Sequence, residues 1–119
     1  MPTTLVLGAS PDPTRYAHLA VRRLLAGGHD VIAVGKRTGS IGEVVIMQAL
    51  PADAAIDTVT LYLSPANQRG WHEAIIALRP RRVIFNPGAE DATFAARLLE
   101  QGVDAMEACT LVLLSTGAY

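Results

Sequence analysis

Short runs made almost wholly of aliphatic and β-branched residues recur along the chain, each pair separated by enough residues for a helix. They are Leu5–Leu7, Val31–Val34, Thr58–Leu63 (TVTLYL), Arg82–Phe85 (RVIF) and Val103–Met106, and each meets a glycine, serine or asparagine at one end. Runs without polar alternation belong to strands buried on both faces. Strands joined by such long connections pair in parallel, with the intervening helices laid over the sheet. Tyr16 to Ala26 has the required stripe: Ala17, Ala20, Val21, Leu24 and Leu25 on one side, Arg15, Arg22 and Arg23 mostly on the other, and Gly27-Gly28 as a stop. Ser64 reads as an N-cap with Pro65 at the first helical position. That helix is expected to run to Leu78, burying Trp71, Ile75 and Leu78, before Pro80. Glu90–Gln101 reads as a helix with Phe94, Ala95, Leu98 and Leu99 inward and Gly102 as its C-cap.

The middle of the chain, residues 36–56, is less regular. Gly39 and Gly42 mark turns, Val44–Ile46 is read as a short extra strand, and Pro51 closes a helical turn. The tail, Cys109–Ser115, is apolar and followed by Gly117, so it is expected to form a helix that docks on the body. The element order is then β-α-β-(β)-β-α-β-α-β-α. This predicts an α/β fold: a doubly wound, Rossmann-like parallel sheet in three α/β/α layers. With 119 residues, half of them hydrophobic, one domain spans residues 1–119.

Composition excludes several classes of function. A formal charge of −1 gives no sign of a nucleic-acid surface or a polybasic membrane patch, and 5% aromatics offer few platforms for stacking bases. No apolar run approaches the roughly 18 residues that span a bilayer. The opening MPTTLVLG lacks the basic region of a signal peptide, so a cytoplasmic location is expected. Cys109 is the single cysteine, and no Cys/His spacing resembles a zinc site.

In doubly wound sheets ligands sit beyond the carboxyl ends of the strands, where strand order reverses. The loop after the first strand is Gly8-Ala9-Ser10-Pro11-Asp12-Pro13-Thr14. Gly8 permits close backbone approach, Ser10 offers a hydroxyl and an N–H, the following helix offers unpaired amides, and Arg15 adds charge. The pattern is not the dinucleotide fingerprint, because Ser10 and Pro13 stand where its second and third glycines would be. A tight β–α turn capped by Ser10 or Thr14 is the alternative. After the second strand come Gly35-Lys36-Arg37 in place of the acidic residue that usually takes the ribose hydroxyls of NAD. Two cations suit an adenosine with an extra ribose phosphate, or form a solvated basic loop. Asn86-Pro87-Gly88 ends the fourth long strand, with Asn86 either bonding a ligand or closing an Asx-type turn. Ser64 occupies the equivalent place after the third, where capping also explains it.

Nothing in the chain predicts a catalytic constellation. His18, His29 and His72 are scattered and have no carboxylate or nucleophile at triad spacing, so they read as surface or boundary side chains. Asp12 is read as capping or solvated, Glu90 and Asp91 as favoured by a helix N-terminus, Cys109 as an inert thiol, and Trp71, Met47 and Met106 as packing.

Gly8-Ala9-Ser10 with Pro11 and Pro13 before a helix resembles the small stand-alone CoA-binding proteins, which look like the nucleotide-binding domain of the succinyl-CoA synthetase alpha subunit. VIFNPGAED at 83–91 and ACTLVLLSTGAY at 108–119 are similar to the short bacterial branch of that family. The resemblance covers essentially the whole chain and implies a Rossmann-like domain that holds coenzyme A through its ADP portion. It puts Gly8, Ala9 and Ser10 at the diphosphate with Arg15 nearby, and Lys36 and Arg37 near the ribose and its 3′-phosphate. Asn86, Pro87 and Gly88 then border the ligand. Many members carry Asn-Pro after the second strand, where this chain has Gly35-Lys36. The expectation is a binding, carrier or sensor module for coenzyme A or an acyl-CoA, without catalysis of its own. The alternatives are an NADP-binding, oxidoreductase-type cofactor domain, or an interaction domain without a ligand; the apolar tail offers a homodimer surface to any of them.

Overall fold

The five apolar runs do form strands, and the sheet they build is wider than the sequence suggests. The computed structural model describes residues 2–51 and 53–119. Along the chain come β1 (Thr3–Leu7), α1 (Tyr16–Ala26), β2 (Asp30–Val34), β3 (Gly39–Ile41), β4 (Val44–Met47) and β5 (Thr58–Leu61). There follow α2 (Pro65–Gln68), a 3-10 turn (Arg69–Trp71), α3 (His72–Leu78), β6 (Arg82–Phe85), α4 (Ala92–Glu100), β7 (Asp104–Glu107) and α5 (Thr110–Thr116).

The seven strands lie in the order β3-β4-β2-β1-β5-β6-β7. Every pair is parallel except β3–β4, an antiparallel hairpin at one edge. β1 is central: Leu5 stands opposite Ile32 of β2 and Val59 of β5. From β1 the chain moves outward to β2, and later to β5 on the other side, so the strand order reverses between β1 and β5.

Side chains of a strand alternate between faces, and β1 divides its residues accordingly. Leu5 and Leu7 join Val59, Leu61, Val83 and Phe85 in a core roofed by Ile75 of α3 and by Phe94 and Leu98 of α4. Val6 joins Ala33 and Ile46 beneath Ala17, Val21 and Leu24 of α1, with Leu114 and Tyr119 of the tail packed alongside. The molecule is therefore a doubly wound, three-layer α/β/α Rossmann-like fold, as the apolar runs require.

Several boundaries differ from expectation, for physical reasons. The expected single helix from Ser64 to Leu78 is broken into α2, the 3-10 turn and α3. At the break the fully buried Gln68 side chain donates to the carbonyls of Leu63 and Ala89, both 2.9 Å away, which draws this turn onto the loops. Ile75 is fully buried, but Trp71 and Leu78 are only half-buried. β5 stops at Leu61, leaving Tyr62 and Leu63 in the loop. α4 begins at Ala92 because Asp91 is its cap, Oδ1 accepting from the Phe94 N–H at 3.0 Å. Leu99 is not inward but 58% exposed. β3 was not anticipated, because Gly-Ser-Ile carries no strand pattern and is paired only through its hairpin with β4. Residues 48 and 49 form a bend rather than a helical turn before Pro51. His18 and His72, expected at the surface or its boundary, are buried. Among the described residues no helix is long and apolar enough to cross a membrane.

Candidate functional site

A cleft of about 430 Å³ opens at the carboxyl ends of β1, β2, β5 and β6, where the strand order reverses. The loop after β1 forms its floor. The Gly8 and Ala9 amides both donate to the carbonyl of Val34, at 2.8 and 2.9 Å, folding the loop back over the end of β2. That approach requires glycine at two positions. Gly8 has φ +99°, and a Cβ there would stand 3.0 Å from the Tyr62 carbonyl. A Cβ on Gly35 would meet the Ala9 carbonyl oxygen at 2.0 Å.

Hydrogen bonds within the loop decide which donors remain. The Asp12 amide donates to Ser10 Oγ (3.1 Å), the Thr14 amide to Asp12 Oδ1 (2.9 Å), and the Arg15 amide to the Asp12 carbonyl (3.1 Å). Pro11 and Pro13 have no N–H. Among the described residues, the Ser10, Tyr16 and Ala17 amides have no protein acceptor, and all three residues line the cleft. The Gly8 and Ala9 amides are thus not anion donors; these residues supply close approach instead. Neither Ser10 nor Thr14 caps α1, whose cap residue is Arg15. Asp12 accepts from both the amide and the hydroxyl of Thr14, and these bonds hold its carboxyl below the usual range.

Arg15, Lys36 and Arg37 ring this floor, all three exposed. Among the described residues none of them makes an ion pair; the two ion pairs present, Arg81–Asp57 and Arg97–Glu73, involve other cations. The opposite wall comes from the loops after β5 and β6, through Tyr62, Leu63, Ser64, Asn67, Pro87, Gly88 and Ala89. Ser64 also caps α2, its Oγ accepting from the Asn67 amide at 3.4 Å. The Gly88 amide donates to Glu90 Oε1 at 2.8 Å. Tyr62 turns its hydroxyl inward beside Thr60 and Thr110, where among the described residues it is buried with no partner in hydrogen-bonding geometry, and burial pushes its pKa up to about 12.

Nine of the ten residues singled out in the sequence line this one cleft: Gly8, Ala9, Ser10, Arg15, Lys36, Arg37, Ser64, Pro87 and Gly88. Asn86 does not, and its reading as a group facing a ligand is corrected. It is 2% exposed, and its side chain is consumed internally. Nδ2 donates to Thr60 Oγ1 (2.6 Å) and the Leu61 carbonyl (2.9 Å), while Oδ1 accepts from the Thr110 amide (2.8 Å). Asn86 therefore ties β5, β6 and the start of α5 together. Tyr16, Ala17, Tyr62, Leu63, Asn67 and Ala89 line the cleft without having been singled out. Tyr16 and Ala17 were discoverable as the first turn of α1, whereas Tyr62 and Leu63 were hidden inside the expected strand. Among the described residues no three His, Cys, Asp or Glu side chains are grouped to hold a metal ion.

The fold and cleft place the molecule among the doubly wound α/β proteins with a crevice at the switch point. Within that class the chain belongs to the CoA-binding domain family, whose model matches residues 2–115. The family match favours coenzyme A, and the NADP alternative finds no support in it. Among solved structures, one described as an uncharacterized protein shares 44% identity and superposes with a TM-score of 0.96, covering 100% of this chain and 98% of that one. A Thermus thermophilus structure described as cell-free ID.343 shares 24% identity with a TM-score of 0.87, covering 99% of this chain and 90% of that chain. A hypothetical protein from Pyrococcus horikoshii OT3 shares 22% identity with a TM-score of 0.86, covering 95% and 81%. At the lower identities the likeness concerns the fold alone. A comparison with curated proteins finds no match.

Proposed function

We propose that the protein binds coenzyme A or an acyl-CoA through its ADP portion in the switch-point cleft, as a cytoplasmic binding, carrier or sensor module without catalysis of its own. The observation that carries this reading is the convergence on one cleft of three cations that, among the described residues, lack ion-pair partners and three amides that lack acceptors. Unpaired donors and cations at a helix N-terminus favour a phosphate group. In this reading the diphosphate lies over Ser10 and the first turn of α1, with Arg15 beside it. Lys36 and Arg37, beyond β2, take the ribose and its 3′-phosphate. Ser64, Pro87 and Gly88 border the ligand from the far wall, and the cleft's volume falls in the range of small-molecule sites.

The test is a calorimetric titration with coenzyme A, NADP and NAD at one fixed salt concentration. The expected result is micromolar binding of coenzyme A, weaker binding of NADP, and none of NAD. Binding of NADP in preference to coenzyme A would overturn the assignment.

A further inference from the structure

Behind the cleft floor lies a histidine that is not among the residues lining the cleft. His18 sits in the first turn of α1 and is only 4% exposed. Its Nδ1 is 3.0 Å from the Ser10 carbonyl, and its Nε2 is 3.0 Å from Nε of Arg22. The Arg22 guanidinium can only donate, so Nε2 must be the acceptor and the ring proton must reside on Nδ1. Nδ1–H therefore donates to the Ser10 carbonyl, and the imidazole is neutral in this arrangement.

We infer that His18 is a positioning residue for ligand capture: it locks the backbone of Ser10 so that this residue's N–H and O–H face the cleft. The inference rests on the proposed reading of the cleft as an anion site. Ser10 carries the one amide between Gly8 and Arg15 that has no protein acceptor among the described residues. That amide is held from both sides. On one side the Ala9 N–H is bonded to Val34. On the other the Ser10 carbonyl is bonded to His18. The hydroxyl is directed too, because Ser10 Oγ accepts from the Asp12 amide and so keeps its proton for an outside acceptor. Turning the Ser10 carbonyl inward has a second effect, since it removes a partial negative charge from the place an anion would occupy. Arg22, exposed on α1, completes the device by fixing the tautomer. The pair uses two positions one helical turn apart, the spacing at which helix side chains meet.

The experiment compares His18→Leu, His18→Asn and Arg22→Met with the wild type by two readouts, coenzyme A affinity and amide hydrogen exchange at Ser10 to Arg15. An asparagine amide nitrogen can take the place of Nδ1–H, whereas leucine fills the space without a donor. His18→Leu is expected to weaken coenzyme A binding about tenfold and to speed exchange in the loop, while α4 exchanges as before. His18→Asn is expected to recover most of both losses. Arg22→Met alters an exposed side chain and keeps the test alive if His18→Leu does not fold; a loss of about threefold in affinity is expected. Affinity and loop exchange unchanged in the variants would overturn the inference, and so would equal losses in the leucine and asparagine variants. If the wild type fails to bind coenzyme A, the proposed ligand falls, and loop exchange alone still decides whether His18 holds Ser10.

Discussion

At the scale of single residues, Gly35 and Asn86 carry more of the cleft than their chemistry announces. Gly35 touches no ligand in the proposed reading, yet the first loop can lie where it does only because the Ala9 carbonyl passes over a position without a Cβ. Gly35→Ala forces one of two packed backbones to move. The expected cost is about 1–3 kcal/mol in a denaturant titration, with a loss of coenzyme A affinity beyond that of a surface substitution. Asn86→Ala should be costlier. It strands the buried Thr110 amide and removes the donors to Thr60 and Leu61. We expect about 2–3 kcal/mol of destabilisation, with faster hydrogen exchange concentrated in α5. The sequence showed that a polar residue ends β6 in the right place. It could not show that the side chain turns inward, because its partners stand 24 to 26 residues away and only the assembled sheet brings them together.

At the scale of elements, what was legible is what local pattern dictates. Strands buried on both faces announce themselves as apolar runs, and α1 announces itself by its stripe, so the parallel sheet and its layers followed from the chain alone. The segment from Ser64 to Leu78 did not, because its break is imposed from outside, by the Gln68 carboxamide bridging the loops after β5 and β6. His72 completes that bridge: its Nε2 is 3.0 Å from Gln68 Oε1, and its ring stacks on Phe94 at 3.6 Å. Burial lowers the His72 pKa from its ordinary 6.5. The folded state then binds fewer protons than the unfolded chain between the lowered value and 6.5. Stability is complete above this window and declines as pH falls through it. The melting temperature should therefore drop as pH falls below 6.5, and the drop should be smaller in His72→Gln. Asp57 acts in a separate and more acidic window. The Arg81 guanidinium holds its carboxyl below the usual 3.8, so its contribution is present above that pH and fades as pH falls below it. A pH profile that His72→Gln leaves unchanged would assign the loss to other groups.

At the scale of the whole molecule the charge is nearly balanced, at −1, but its distribution is not. Arg15, Lys36 and Arg37 stand together at one end of the sheet with no carboxylate paired to them among the described residues, and the cleft opens between them. The positions of these cations were legible, because each follows a strand end or opens a helix. That no carboxylate closes on them as an ion pair among the described residues was not, since it depends on where every other side chain comes to rest; Asp12, the acidic group that feels Arg15 and Arg37, is bonded to Thr14 instead. Exposed charges interact with a ligand across water and salt, and the Debye length falls to about 8 Å at 0.15 M ionic strength. Coenzyme A affinity should accordingly fall as salt rises, and Lys36→Ala/Arg37→Ala should both weaken binding at low salt and flatten that dependence. The decisive comparison is a cycle that pairs this double substitution with removal of the ligand's 3′-phosphate. If the two cations hold that phosphate, deleting either side removes the same interaction, so the combined loss should match each single loss instead of their sum. Each loss should be roughly tenfold at physiological salt, the magnitude of one charge-assisted contact at a partly solvated site. If the losses add, the cations face some other part of the ligand, and the adenosine end must lie elsewhere in the cleft.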